Sequence, residues 1–300
     1  MRKPAIFFLI LGAFLILATD VFADPRAEAI LKEVRTAIGG EELIQKIQSL
    51  AINAKYTRVL GDRQLSGERE ISIGLPSQFL VEDAFTMGGL STSIISTRGL
   101  DGESAWSSSS GGGGNMVIRM GGPGGAQASP EQIEAMFRQQ YAAEMTRYLL
   151  ATLAATPTAG EFKYVGDSDV DGAPADVLEV SGPNKVAIRI FIDKKNHLPL
   201  LLSYRGPKPR IVTMNRPAGG AVRTEEEMRK AREEAEKKTN AETPAEQVDF
   251  FIRIENHKKV NGLVLPHKLT FLTDTEVSEE VEISKYQLNP QFKADKFQKH

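Results

Sequence analysis

The chain has 300 residues, with 37 Lys and Arg against 39 Asp and Glu and no cysteine. The lack of Cys excludes a disulfide framework, a thiolate metal site and a lipid-modified cysteine. The near balance of charge argues against a nucleic-acid partner, because proteins that bind one concentrate cationic surface to displace counterions.

Arg2 and Lys3 precede an apolar run at residues 5–18, and Val21-Phe22-Ala23 stands just before Asp24-Pro25. That order predicts a cleavable secretory signal over residues 1–23. The apolar run is shorter than the roughly 20 residues a bilayer core requires, and Asp20 interrupts its far end. Cleavage would remove Arg2, Lys3 and Asp20, leaving 35 cations against 38 anions and a charge of −3. The expected product is a soluble periplasmic chain over residues 24–300, large enough to hold a sizeable core.

Asp24 as N-cap and Pro25 at the first helical position predict a helix with an apolar stripe of Ile30, Leu31, Val34 and Ile38, stopped by Gly39-Gly40. A short helix is expected at 41–48. From Leu50 the period changes to two, predicting strands at 50–57, 69–73, 78–85, 91–98 and 104–107. Turn signals at Gly61-Asp62, Leu75-Pro76, Gly88-Gly89 and Asp101-Gly102 fall between them, so hairpins in sequence order are the simplest connection. Residues 107–128, rich in Gly and Ser, predict a flexible loop. Ser129 and Pro130 then open a long amphipathic helix, with Ile133, Phe137, Tyr141, Met145, Tyr148, Leu149 and Leu153 as its apolar side.

Strands are next expected at 162–165, 176–180, 186–193 and 198–204. A charged insertion at 206–247 holds a Thr224/Glu227 capping box and Glu–Lys or Glu–Arg pairs spaced four apart, which predicts a solvated helical arm. Final strands are expected at 248–256, 264–273 and 276–286. In the last, Val277, Val281 and Ile283 alternate with Ser278, Glu280, Glu282 and Ser284, giving the sheet one wet face. About a dozen antiparallel strands with helices beside them make an α+β fold. If such a sheet curls, it forms an unclosed half-barrel whose hollow the amphipathic helices cover.

Several short segments resemble one family. They are Ile38-Gly39-Gly40 ahead of the first strand, Leu75-Pro76-Ser77-Gln78-Phe79 leading another, and Leu100-Asp101-Gly102-Glu103-Ser104-Ala105-Trp106 as a hairpin. Further along come Phe191-Ile192-Asp193, His197-Leu198-Pro199, Gly262-Leu263-Val264-Leu265-Pro266, and Tyr286-Gln287-Leu288-Asn289-Pro290 with Phe292. In this order they resemble the outer-membrane lipoprotein-sorting, LolA/LolB-like, superfamily over about residues 25–300 apart from the insertion. The Gly-rich loop and the charged insertion depart from its well-studied carriers. The resemblance implies an unclosed β-barrel capped by helices, whose lumen holds an acyl chain or another apolar ligand.

A G-x-S-x-G elbow, H-E-x-x-H and a P-loop do not occur, so the expectation is a protein that is no enzyme and holds no cofactor. His197, His257, His267 and His300 stand far apart, none with a partner at metal-ligand spacing. Asp167, Asp169, Asp171 and Gly172 match the first half of a calcium loop, but the twelfth position is Leu178 and the flanks read as strands, so a hairpin turn is the better reading.

Candidate lumen residues are Ile52, Tyr56, Phe79, Val81, Phe85, Trp106, Phe137, Tyr141 and Ile190. Phe79, Val81 and Phe85 share one strand face, and Ile188, Ile190 and Ile192 share another; each set lines a lumen or fills a core. Trp106, the sole Trp, packs a sheet edge or touches a ligand. Two functions remain open: a periplasmic carrier of a lipoprotein acyl chain or similar apolar ligand, and a cell-envelope sensor or interaction module that uses the insertion to meet a protein partner.

Overall fold

The computed structural model of the chain describes residues 24–61, 63–86, 93–110, 129–156, 160–182, 185–208 and 246–299. The expected signal at 1–23, the Gly88-Gly89 turn, most of the Gly-rich stretch (111–128) and most of the charged insertion (209–245) lie outside the described residues.

Helix α1 (Pro25–Ile38) begins as its sequence dictates: the Asp24 carboxylate accepts from the N–H groups of Arg26 at 3.0 Å and Ala27 at 3.3 Å. The predicted stripe is buried. Gly39 ends the helix at φ 147°, where a Cβ would lie 2.7 Å from the Gly262 carbonyl oxygen, so only glycine suits both the turn and the approach. Helix α2 (Glu41–Gln45) is shorter than expected, because the chain straightens into β1 (Ser49–Leu60).

Strands β1, β2 (Arg63–Gly74), β3 (Gln78–Thr86), β4 (Ser93–Asp101) and β5 (Ser104–Ser110) form one antiparallel meander. After helix α3 (Pro130–Leu153), a second meander runs through β6 (Phe162–Val170), β7 (Ala173–Ser181), β8 (Ala187–Asp193), β9 (Pro199–Pro207) and β10 (Gln247–Glu255). A small separate hairpin pairs β11 (Lys258–Val260) with β12 (Leu263–Leu265); β13 (Lys268–Thr273) and β14 (Glu276–Leu288) follow. The last two strands stitch the meanders together, β14 beside β1 and β13 beside β10. The result is one twelve-stranded antiparallel sheet ordered β5-β4-β3-β2-β1-β14-β13-β10-β9-β8-β7-β6. Its two ends do not pair, so the sheet is unclosed; it curves so that strands of both halves, β3–β5 and β9, touch α3, and the fold is α+β.

Several boundaries differ from the sequence reading, and so does the facing of one residue. Strand β5 continues through Ser108 to Ser110, because backbone pairing with β4 extends a strand whatever its polar side chains. Strand β6 continues through Asp167 and Asp169 to a two-residue turn at Asp171-Gly172, whose φ values of 52° and 88° suit the tight Asp-Gly hairpin. The strand expected at 264–273 is split around Pro266-His267, the first part folding back on β11 through Asn261-Gly262. On β14, a register shift opposite Phe271/Leu272 leaves Val277 43% exposed, while Glu279, in phase with Val281 and Ile283, is buried.

Candidate functional site

The hollow of the sheet is occupied by α3. Its start is fixed by a capping box between Ser129 and Gln132. Its burial is not the one-sided stripe expected of an amphipathic lid: Ile133 is exposed, whereas Leu149, Leu150, Ala151, Thr152 and Leu153 are all buried. Five successive buried residues point to every side of a helix. The C-terminal half of α3 is therefore a plug inside the curved sheet.

One flank of the plug is fastened by charge. Arg69 of β2 donates from Nε to Asp83 Oδ1 at 2.6 Å and from Nη1 to Glu279 Oε1 at 2.6 Å. Arg58 of β1 joins Glu279 through Nε at 2.6 Å. Arg98 of β4 donates to both Glu144 oxygens, at 3.1 and 2.7 Å, and to Asp83 Oδ2 at 3.1 Å. Glu144 belongs to α3, so this network ties the helix to β2, β3, β4 and β14. Burial alone would raise the Asp83 carboxyl, but Arg69, with Arg98, outweighs it and holds the group down to about 2. Against the same pull of burial, Arg98 lowers Glu144 and Arg69 lowers Glu279. Nearer the start of α3, Glu134 accepts from the Ala105 N–H at 3.3 Å and Arg138 donates to the Glu103 carboxylate at 2.5 Å.

The other flank is different in kind. Between α3 and strands β10 and β13 lies a crevice lined by Glu144, Arg147, Tyr148, Ala151, Ile252, Leu269 and Phe271, with about 10 Å3 of free space, room for one water. Arg147 is stacked 4.7 Å above the Tyr204 ring, which lies parallel to Phe250 at 5.1 Å. Phe250, Phe271 and Tyr204 are only half-buried.

No family model and no curated protein matches the chain. Among solved structures it is similar to a LolA superfamily protein from Nitrosomonas europaea, at 12% identity and a TM-score of 0.46, covering 91% of this chain and 97% of that one. It is also similar to a DUF1329 family protein from Desulfovibrio piger (11%, TM-score 0.44, 92% and 98% covered) and to an outer membrane lipoprotein-sorting protein domain from Vibrio parahaemolyticus (10%, TM-score 0.45, 91% and 96% covered). The lipoprotein-sorting superfamily that the short sequence patterns resemble is thus named among these neighbours. At such identities the likeness is one of fold.

Of the residues singled out by sequence, Ile52, Phe79, Val81, Phe85 and Ile190 are buried in the same apolar cluster as the plug, with the Phe79 ring 6.3 Å from Tyr148. Tyr141 and Phe137 stack on each other at 5.5 Å on α3 itself. The Tyr56 ring lies under Arg69, and its hydroxyl is buried without a hydrogen-bond partner among the described residues. These side chains fill the hollow together with α3. Trp106 is not with them. It lies on the convex face, across Gly99, clustered with Leu80 and Phe297, and its Nε1–H donates to the Phe297 carbonyl at 2.9 Å. An open groove of about 390 Å3 adjoins it, but Lys296 there is already paired with Glu70 and Glu82.

The acidic run is a hairpin: Asp169 accepts from the Gly172 N–H at 2.6 Å, Lys194 lies 2.8 Å from Asp167, and Arg253 lies 3.3 Å from Asp171. Among the described residues no three His, Asp or Glu side chains converge as a metal site requires. Burial, with the charge of His267 nearby, holds His257 down to about 4. Among the described residues no helix is long and apolar enough to cross a membrane.

Sequence reasoning missed the charge network and the aromatic crevice. For the network a signal exists: Arg69 stands in phase with Ile71 and Ile73, Asp83 with Val81 and Phe85, and Glu279 with Val281 and Ile283. A charge at an inward position of a period-two strand must find a partner there.

Proposed function

We propose that the protein is a periplasmic, non-enzymatic carrier or binding protein for one apolar chain, such as an acyl chain of a lipoprotein or lipid, which it takes between α3 and the flank of β9, β10 and β13. The observation that supports this reading is the unequal fastening of α3. Polar bonds fix the helix to β2–β5 and β14, whereas toward β10 and β13 it meets half-buried aromatic rings and a crevice.

Magnitudes decide how such a chain would enter. Withdrawing the whole buried half of α3, nine residues, would forfeit on the order of 15 kcal/mol of burial. A chain of about 16 carbons returns roughly 12 kcal/mol at about 0.8 kcal/mol per methylene. Complete withdrawal is therefore not compensated, while a limited parting at the unfastened flank is. The ligand would widen the crevice and leave the fastened flank in place.

Titration with a fluorescent fatty acid, with native mass spectrometry of protein from its own host, tests the reading. Saturable uptake of one probe per chain is expected. No uptake, together with no co-purifying lipid, would overturn it.

The second reading, an envelope interaction module, is favoured by β5. It is an edge strand, its residues Ser107–Ser110 are exposed, and it carries no charge or proline to discourage strand addition. The two-residue turn after Asp101 directs the Ser109 N–H away from β4, so Ser109→Pro should abolish capture of an extended peptide and spare fatty-acid uptake.

A further inference from the structure

Among the described residues, the charged groups of the network that fastens α3 balance. Arg58, Arg69 and Arg98 meet Asp83, Glu144 and Glu279, three cations against three anions joined in one network. Arg147 is a fourth cation. It is half-buried on α3, and among the described residues it makes no ion pair. The carboxylate one turn before it, Glu144, has both oxygens engaged by Arg98. What holds Arg147 is the Tyr204 ring, with the guanidinium carbon 4.7 Å from its centroid. A partly desolvated guanidinium retains unfilled capacity for a planar anion, since its parallel N–H groups match carboxylate or phosphate oxygens.

Its position gives that capacity a use. Arg147 lines the same crevice as Glu144, Tyr148, Ala151, Ile252, Leu269 and Phe271; the Glu144 carboxylate there feels Arg147 but is bound through both oxygens to Arg98, so a cation with free N–H capacity stands beside a mostly apolar cleft. We infer that the ligand is a single-chain anionic amphiphile, whose carboxylate or phosphate head pairs with Arg147 while its alkyl chain enters between α3 and Phe271. This rests on the binding reading above and adds the chemistry of the head group. Tyr204 acts as a positioning residue, holding the guanidinium over its ring at the edge of the cleft.

Competition binding tests it. A fluorescent alkyl probe with a neutral head is displaced from the protein by dodecanoate, dodecyl phosphate or dodecanol. Both anions should compete about ten- to a hundredfold better than the alcohol, the range expected of one charge-assisted pair, and the order of the two anions tells a carboxylate from a phosphate ligand. Arg147→Gln should remove that advantage and leave dodecanol unchanged, while Arg147→Lys keeps part of it. Equal competition by all three, or an equal loss for all three in Arg147→Gln, would overturn the head-group assignment alone. Failure of the neutral probe and of all three competitors to bind would remove the carrier reading with it. Should Arg147→Gln not fold, the ranking on the unaltered protein still decides.

Discussion

The two flanks of α3 are held by opposite means. Toward β2–β5 and β14 the contact is an ion network in which each guanidinium serves at least one buried carboxylate. Toward β9, β10 and β13 it is apolar packing, half-exposed rings and one stacked cation. The difference teaches where the molecule can yield. An ion network in a dry site is costly to break by halves, since each lost partner strands a buried charge. Apolar surfaces part with a cost roughly proportional to the area exposed, and an apolar ligand can cover that area again.

The comparison can be broken first at Arg69. Arg69→Leu leaves Asp83 and Glu279 short of their common partner and should cost about 3–5 kcal/mol in chemical denaturation; a loss below about 1 kcal/mol would mean that the fastened flank is not fastened by charge. Acid should act on the same flank. Asp83 is held down to about 2 from an ordinary 3.8, so its contribution is present above pH 4 and disappears as pH falls from 4 toward 2, by about 2 kcal/mol. Asp83→Asn should flatten that part of the pH–stability curve. On the other flank, Phe250→Ala removes one half-buried ring of the stack on Tyr204 and should cost only about 1–2 kcal/mol, less than a fully buried Phe, while weakening fatty-acid uptake. The smallest effect is expected at Tyr56→Phe. It removes a buried hydroxyl that has no partner among the described residues, so stability should stay level or rise by up to about 1 kcal/mol.

Much of the fold was legible because its causes are local. Period-two alternation placed most strands. The cap at Asp24, the box at Ser129 and the turn at Gly102 placed helix starts and a hairpin. What was not legible depends on partners far away in the chain. The shift opposite Phe271/Leu272 turned Val277 outward, and no local pattern announces it. Pairing of β14 with β1 brings Glu279 to Arg69, 210 residues apart. Of the residues read as lumen lining, Ile52, Phe79, Val81, Phe85 and Ile190 lie in the main core and Trp106 on the other face; alternation does not tell a lining from a filling, a distinction that turns on the all-round burial of 149–153. Arg147 and Tyr204 meet only because α3 lies in the sheet, so sequence alone offered no reason to join them.

The central claim is that ligand binding opens α3 on one flank only. It is tested most directly by pulsed electron-spin distance measurements with labels at the exposed positions Gln139 on α3 and Lys55 on β1, and in a second sample at Gln139 and the exposed Arg205 on β9. Addition of dodecanoate should lengthen the Gln139–Arg205 distance and leave Gln139–Lys55 nearly unchanged. Saturating ligand that leaves both distances alone, or lengthens both equally, would contradict it.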